Sequence, residues 1–170
     1  MNIEIIDYAP EYRDAIRVLN EAWLKRYFEV EPSDVVELGD PEGTILNQGG
    51  YIYYAREEGS AIVGVASLIR VEDGVYELAK MAVDDRAQGR GIGRRLAQTC
   101  IEKARTLYAR SVILYSNTRL ERAIQLYRHL GFQEIEMKEQ HYQRANIMME
   151  LNLHDERHRE MRFLNTKFWY

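Results

Sequence analysis

Val83-Asp84-Asp85-Arg86-Ala87-Gln88-Gly89-Arg90-Gly91-Ile92-Gly93-Arg94-Arg95-Leu96 runs from an apolar segment through three glycines into the start of a helical pattern. Glycine lets the backbone turn tightly so that N–H groups converge on an anion, and a helix N-terminus adds partial positive charge on the same side. Arg86, Arg90, Arg94 and Arg95 make the stretch basic within a chain whose formal net charge is -4. The local sign opposes the global one, as a phosphate site requires. By itself a Gly-x-Gly-x-Gly run is equally a plain loop opening a helix, so its surroundings decide. A dinucleotide fingerprint needs glycine where Arg94 stands, in a parallel βαβ unit near the start of the fold. A nucleoside-triphosphate loop needs Gly-Lys followed by Ser or Thr, which is absent here.

Downstream, Ile92, Leu96, Cys100, Ala104 and Leu107 form an apolar stripe that Ala97 and Ile101 widen, predicting a helix of about 16 residues. Val112-Ile113-Leu114-Tyr115 is a short continuous apolar run, the mark of a strand covered on both faces. Helical spacing returns at Leu120, Ala123, Ile124, Tyr127 and Leu130, stopped by Gly131. Residues 132–137 and 145–153 read as two final strands.

Upstream, residues 51–56, 61–71 and 74–83 are rich in aromatic and β-branched residues and are joined by Glu57-Glu58-Gly59-Ser60 and Glu72-Asp73-Gly74. They read as three consecutive antiparallel strands. Ile3 and Ile5 alternate as a short first strand, and Pro10 sits where it opens a helix whose apolar face includes Ala15, Ile16, Leu19 and Trp23. The segment from Pro32 to Gly50 is rich in turn chemistry and reads as a loop-like active-site rim, with Ser33-Asp34 capping a short second helix.

A length of 170 residues with 46% apolar residues suits one domain with one sizeable core. We assign residues 1–153 to that domain and 154–170 to a charged, then aromatic, extension that suggests a homodimer contact. The acidic balance argues against a nucleic-acid partner. The single Cys100 excludes an intramolecular disulfide and suggests a reducing, cytoplasmic setting. On the apolar stripe it reads as a buried structural thiol. No apolar run reaches the length that spans a bilayer. His154 and His158 are four apart, but a charged tail explains them better than a metal site.

The glycine turn resembles the Gln/Arg-x-x-Gly-x-Gly/Ala signature of the GNAT superfamily of N-acetyltransferases, with Gln88, Gly91 and Gly93 in the motif positions. A second segment, Ala123-Ile124-Gln125-Leu126-Tyr127-Arg128-His129-Leu130-Gly131-Phe132, is similar to the family's Ala-x-x-Leu-Tyr-x-x-x-Gly-Phe element. The two motifs cover residues 77–132, and the order of flanking elements fits across residues 1–153. The resemblance implies an α/β (mixed α+β) GNAT fold: a central, mostly antiparallel mixed sheet of about seven strands flanked by about four helices, splayed between the fourth and fifth strands. It also implies acetyl-CoA as cosubstrate. The coenzyme's pyrophosphate would sit on Gln88, Gly89, Arg90, Gly91, Ile92, Gly93 and Arg94, and its pantetheine arm and thioester oxygen on the backbone of Met81, Ala82 and Val83. Leu120 stands where many members carry an asparagine. Asn117, at the preceding strand end, is the nearest substitute, with Tyr127 beside it.

Transfer to an amine needs a neutral nucleophile, a polarised thioester carbonyl and a proton for the leaving thiolate. Tyr127 looks like the general acid and Glu77 the base acting through water, Glu77 sharing the face of Met81 by simple alternation; the alternative for Glu77 is a solvated strand carboxylate. Lys80, in the opposite phase, reads as structural or solvent-facing. Trp23, Tyr27, Tyr51 and Tyr53 are candidates for an acceptor pocket, although aromatics at such spacings usually belong to a core. The expected acceptor is a small-molecule amine. A protein N-terminus or lysine is the alternative, as is a non-catalytic acyl-CoA-binding module.

Overall fold

The computed structural model describes residues 2–59 and 61–154. The aromatic extension, His158 and the surface suggested for a dimer lie outside the described residues.

β1 (Ile3–Asp7) leads through a 3-10 turn at Pro10–Tyr12 into α1 (Arg13–Tyr27), followed by α2 (Pro32–Gly39) and a single turn, α3 (Pro41–Thr44). A meander of β2 (Tyr51–Glu57), β3 (Ile62–Glu72) and β4 (Val75–Val83) precedes α4 (Ile92–Thr106), β5 (Ser111–Ser116), α5 (Glu121–His129), β6 (Gln133–Ile135) and β7 (Ile147–Asn152). The seven strands form one sheet in the order β1-β2-β3-β4-β5-β7-β6. All neighbours are antiparallel except β4 and β5. Among the described residues, no helix is long and apolar enough to cross a membrane.

The periodicities explain the layers. Ile92, Leu96, Ala97, Cys100, Ile101 and Ala104 put the apolar stripe of α4 against one face of the sheet, in a cluster with Ala55, Leu68, Leu78, Val112 and Leu114. Gly64 permits the close approach: a Cβ there would lie 3.0 Å from both Ile92 and Leu96 side chains. On the opposite face Ile16, Leu19 and Leu24 of α1, with Leu38 of α2, meet Ile52, Tyr54, Val65 and Ala82. Cys100 is fully buried, and burial pushes its thiol up to about 12, as befits a packing residue.

Two readings of the chain are corrected. The rim from Pro32 to Gly50 is largely helical, because Pro32 occupies the first helical position, where a missing N–H costs nothing. Glu31 is the N-cap, and Asp34 sits inside the helix, accepting a hydrogen bond from the Glu31 N–H at 2.9 Å. The second correction concerns β4. Val65 pairs with Ala82 but Ser67 pairs with Ala79, so Ala66 faces both Lys80 and Met81. Lys80 takes a left-handed φ of 53°. This bulge inserts one residue and reverses the alternation. Glu77, opposite Ile69, therefore shares the α1 face with Ala82, whereas Met81 packs on the α4 side.

Candidate active site

β4 and β5 are paired only from Val75–Glu77 to Ser111–Ile113. Beyond that point they diverge, and the β4 edge from Leu78 to Val83 faces an open cleft instead of a strand. The cleft holds about 790 Å³, the size of a small-molecule site. Its walls are α1, β4, the glycine turn, the end of β5, α5 and the loop carrying Tyr142 and Arg144.

At one end stands the glycine turn. Gly89 and Gly91 have φ of 77° and 72°, and a Cβ at either would meet nothing within 4 Å. Glycine is needed there for the left-handed backbone itself. The Gln88 amide donates to Asp85 Oδ1 at 3.0 Å and to the Val83 carbonyl at 3.4 Å, holding the turn to the strand it leaves. The N-terminus of α4 has no side-chain cap, and its first hydrogen bond runs from Arg95 N–H to Gly91. The N–H groups of Ile92, Gly93 and Arg94 thus meet no protein acceptor among the described residues. They form a donor set suited to phosphate.

Of the four arginines expected to face an anion, Arg94 alone lines the cleft. Arg90 pairs with Glu57 at 2.9 Å, Arg86 with Asp84 at 3.2 Å, and Arg95 donates to the Ile3 carbonyl at 2.8 Å. Arg90 and Arg95 thus reach β2 and β1, and Arg86 stays within its own turn. Asn117 lines the cleft, but its amide is committed to the neighbouring loops: Nδ2 donates to the Arg144 carbonyl and Oδ1 accepts from Arg119 N–H.

Tyr127 of α5 lines the cleft, half-buried, its ring edge-on to Phe132 with centroids 6.0 Å apart. Burial pushes its phenol up to about 12, so it keeps its proton at neutral pH.

The other end is built around Glu77, whose side chain is 5% exposed. Burial raises its carboxyl to about 7, with Glu37 adding and Lys80, Tyr142 and Arg144 opposing. The Tyr142 hydroxyl donates to Oε2 at 3.3 Å, and His141 Nε2 lies 3.8 Å from Oε1. Beneath them Asp34 accepts from Lys80 Nζ at 3.0 Å and from both Arg144 Nη atoms at 2.7 and 2.9 Å. Lys80 also meets Glu37 at 2.6 Å, and Arg144 meets Glu31 at 2.9 Å. Burial would raise the Asp34 carboxyl, but Arg144 and Lys80 hold it below the usual carboxylate range. Lys80 is therefore structural and out of solvent. Trp23 and Tyr27 line the cleft, whereas Tyr51 and Tyr53 pack on the α4 side of the sheet.

His141, Tyr142, Arg144 and Asp34 carried no motif in the sequence. A signal that could have pointed to Asp34 was Lys80, a cation inside an apolar strand that needs a buried carboxylate partner.

The sequence model of the acetyltransferase (GNAT) family matches residues 13–132, which span every wall of the cleft except the Tyr142–Arg144 loop. The chain belongs to this family of acetyltransferases. Among curated relatives, the N-acetyltransferase YjgM of Escherichia coli is 33% identical over 95 residues, 54% of this chain and 57% of that protein. The N-alpha-acetyltransferase RimI of Mycobacterium tuberculosis is 33% identical over 95 residues, 53% of this chain and 57% of its own length. The match thus spans little more than half the length of either relative. Among solved structures, the Salmonella typhimurium protein yncA, determined with its cofactor acetyl-CoA, superposes with a TM-score of 0.71 at 23% identity. That superposition covers 90% of this chain and 95% of that one. The GNAT fold, with its parallel β4–β5 pair and splay, agrees with the expectation from the two motifs.

Proposed function

We propose that this GNAT chain moves the acetyl group of acetyl-CoA to a primary amine of a small molecule, by direct attack with both substrates bound. One observation carries the reading: a single cleft has an uncapped, glycine-bounded helix N-terminus at one end and a buried carboxyl, raised to about 7, at the other.

The residues fit the coenzyme. The N–H groups of Gly89 and Gly91 to Arg94, with the Arg94 guanidinium, form an anion cradle for its pyrophosphate, and the unpaired edge of Met81, Ala82 and Val83 offers main-chain donors and acceptors to an extended amide chain. When bound, acetyl-CoA supplies an acetyl thioester. Glu77 takes a proton from the amine, the β4 edge orients the thioester carbonyl, and the Tyr127 hydroxyl gives a proton to the departing sulfur. General acid–base help of this kind is worth about 10²–10⁴ in rate.

The closure of the Glu77 end supports a small-molecule acceptor. A peptide needs an open groove between the first helices and the last strands. Here Glu31 and Asp34 of the α2 start are bonded to Gln143 and Arg144 of the loop before β7, which bridges that opening. A cytoplasmic setting agrees with a lone cysteine kept as a buried thiol.

Thiol release from acetyl-CoA against amines, polyamines, amino acids and short peptides, with calorimetric binding of acetyl-CoA alongside, tests the proposal. Turnover with small amines is expected. Turnover confined to peptides would favour the N-terminal activity for which RimI is named. Binding without turnover would point to a sensing module, and no binding would overturn the reading.

A further inference from the structure

Glu77 is a base only 5% exposed, and each turnover leaves a proton on it that must depart before the next amine can react. Most of its neighbours cannot take that proton. Lys80 and Arg144 are cations already bonded to carboxylates. Asp34 accepts four hydrogen bonds, from Lys80 Nζ, Arg144 Nη1 and Nη2, and the Glu31 N–H. Glu37 is held on Lys80. The Tyr142 hydroxyl already donates toward Glu77; burial, first, and the nearby carboxylates push it well above the ordinary phenol range.

His141 differs from all of these. Its side chain is 49% exposed, yet Nε2 lies 3.8 Å from Glu77 Oε1, one small ring rotation or one bridging water from a hydrogen bond. The ring is held in that attitude on two sides: it stacks on Tyr115 with centroids 5.1 Å apart and an interplanar angle of 20°, and meets Tyr142 edge-on at 4.5 Å and 90°. Imidazole is the side chain that both accepts and releases protons near neutrality. We propose that His141 is a proton relay, carrying the proton that Glu77 removes from the amine out to solvent.

The relay rests on the acetyl-transfer reading and adds a step to it. The amine N–H bond breaks as a Glu77 O–H bond forms. That O–H then breaks as His141 gains a proton at Nε2. His141 releases its Nδ1 proton to water at its exposed side, and no electrons change hands. The charged and titratable groups facing the ring are Glu77 from β4, Tyr115 from β5 and Tyr142 from its own loop, with Glu139 near Tyr115.

The test compares wild type, His141→Ala and His141→Gln at saturating substrates in dilute buffer, with free imidazole as a titrated additive. Both variants should melt like wild type, since the side chain is half exposed, and both should lose about tenfold or more in kcat with KM for the amine little changed. Imidazole should restore kcat in His141→Ala and leave wild type unaffected. A variant with wild-type kcat, or a slow variant indifferent to imidazole and to buffer concentration, would overturn the relay. Wild type that binds acetyl-CoA but turns over no amine would overturn the acetyl-transfer reading, and the relay with it.

Discussion

Asp34 and Lys80 lie 46 residues apart in the chain and form a 3.0 Å ion pair whose side chains are 0% and 3% exposed. The pair joins the first turn of α2 to the bulge of β4. Lys80 needs that support, because a left-handed conformation costs a residue with a Cβ about 1–2 kcal/mol. The Asn20 amide adds to it by donating to the Lys80 carbonyl at 3.1 Å.

Asp34→Ala leaves Lys80 and Arg144 buried with too few carboxylates, so a loss of about 3–5 kcal/mol is expected in urea unfolding at neutral pH. Asp34 sits below its unfolded carboxyl value when folded. Its contribution is therefore present above the ordinary carboxylate range and is lost as pH falls through the folded value. Wild type and variant should converge in stability in acid.

Glu77→Gln should lower kcat by about 10²–10⁴ and abolish the rise of rate with pH expected of wild type around 7. Stability moves the other way. A carboxyl raised to about 7 on folding stabilises relatively more below its unfolded value and less as pH climbs to 7. The variant should thus be more stable than wild type at pH 8, by on the order of 3 kcal/mol, and little different at pH 4. Melts at the two pH values check the sign.

Tyr127→Phe should lower kcat while leaving calorimetric acetyl-CoA binding near the wild-type value. With the phenol at about 12, wild-type rates should show no falling alkaline limb from this group below about pH 10. A variant that keeps its turnover number would remove Tyr127 from the acid role.

Arg94→Ala should weaken acetyl-CoA by about tenfold, the worth of one charge-assisted hydrogen bond. Arg95→Ala should leave binding unchanged, since that guanidinium is bonded to Ile3. Equal losses in the two would mean that the basic stretch acts as a diffuse field rather than through one directed side chain.

Much of the scaffold was legible from local chemistry. The stripe on α4, the apolar run of β5 and the glycines before Ile92 each act within a few residues, so period and turn propensity report them directly. Tyr127 lies in a recognisable helix that ends at Gly131. Part of the site resisted because a bulge is set by pairing: the Lys80 insertion depends on β3 opposite and on Asp34 beneath, and neither is visible in the alternation of β4 itself.

The sequence by itself determined the order of strands and helices and the anion-ready turn, because periodicity and glycine placement are properties of neighbouring residues; it nominated Tyr127 through a family motif and Glu77 through an alternation that the bulge reverses. Only the tertiary structure decided that Glu77 faces α1 rather than the side of Met81, that one arginine of four lines the cleft, and that His141, Tyr142 and Arg144 close on Glu77 across 65 or so positions of chain. Burial and charge pairing are set by what the fold brings near, and a carboxyl is raised or lowered by neighbours that the chain order keeps far apart.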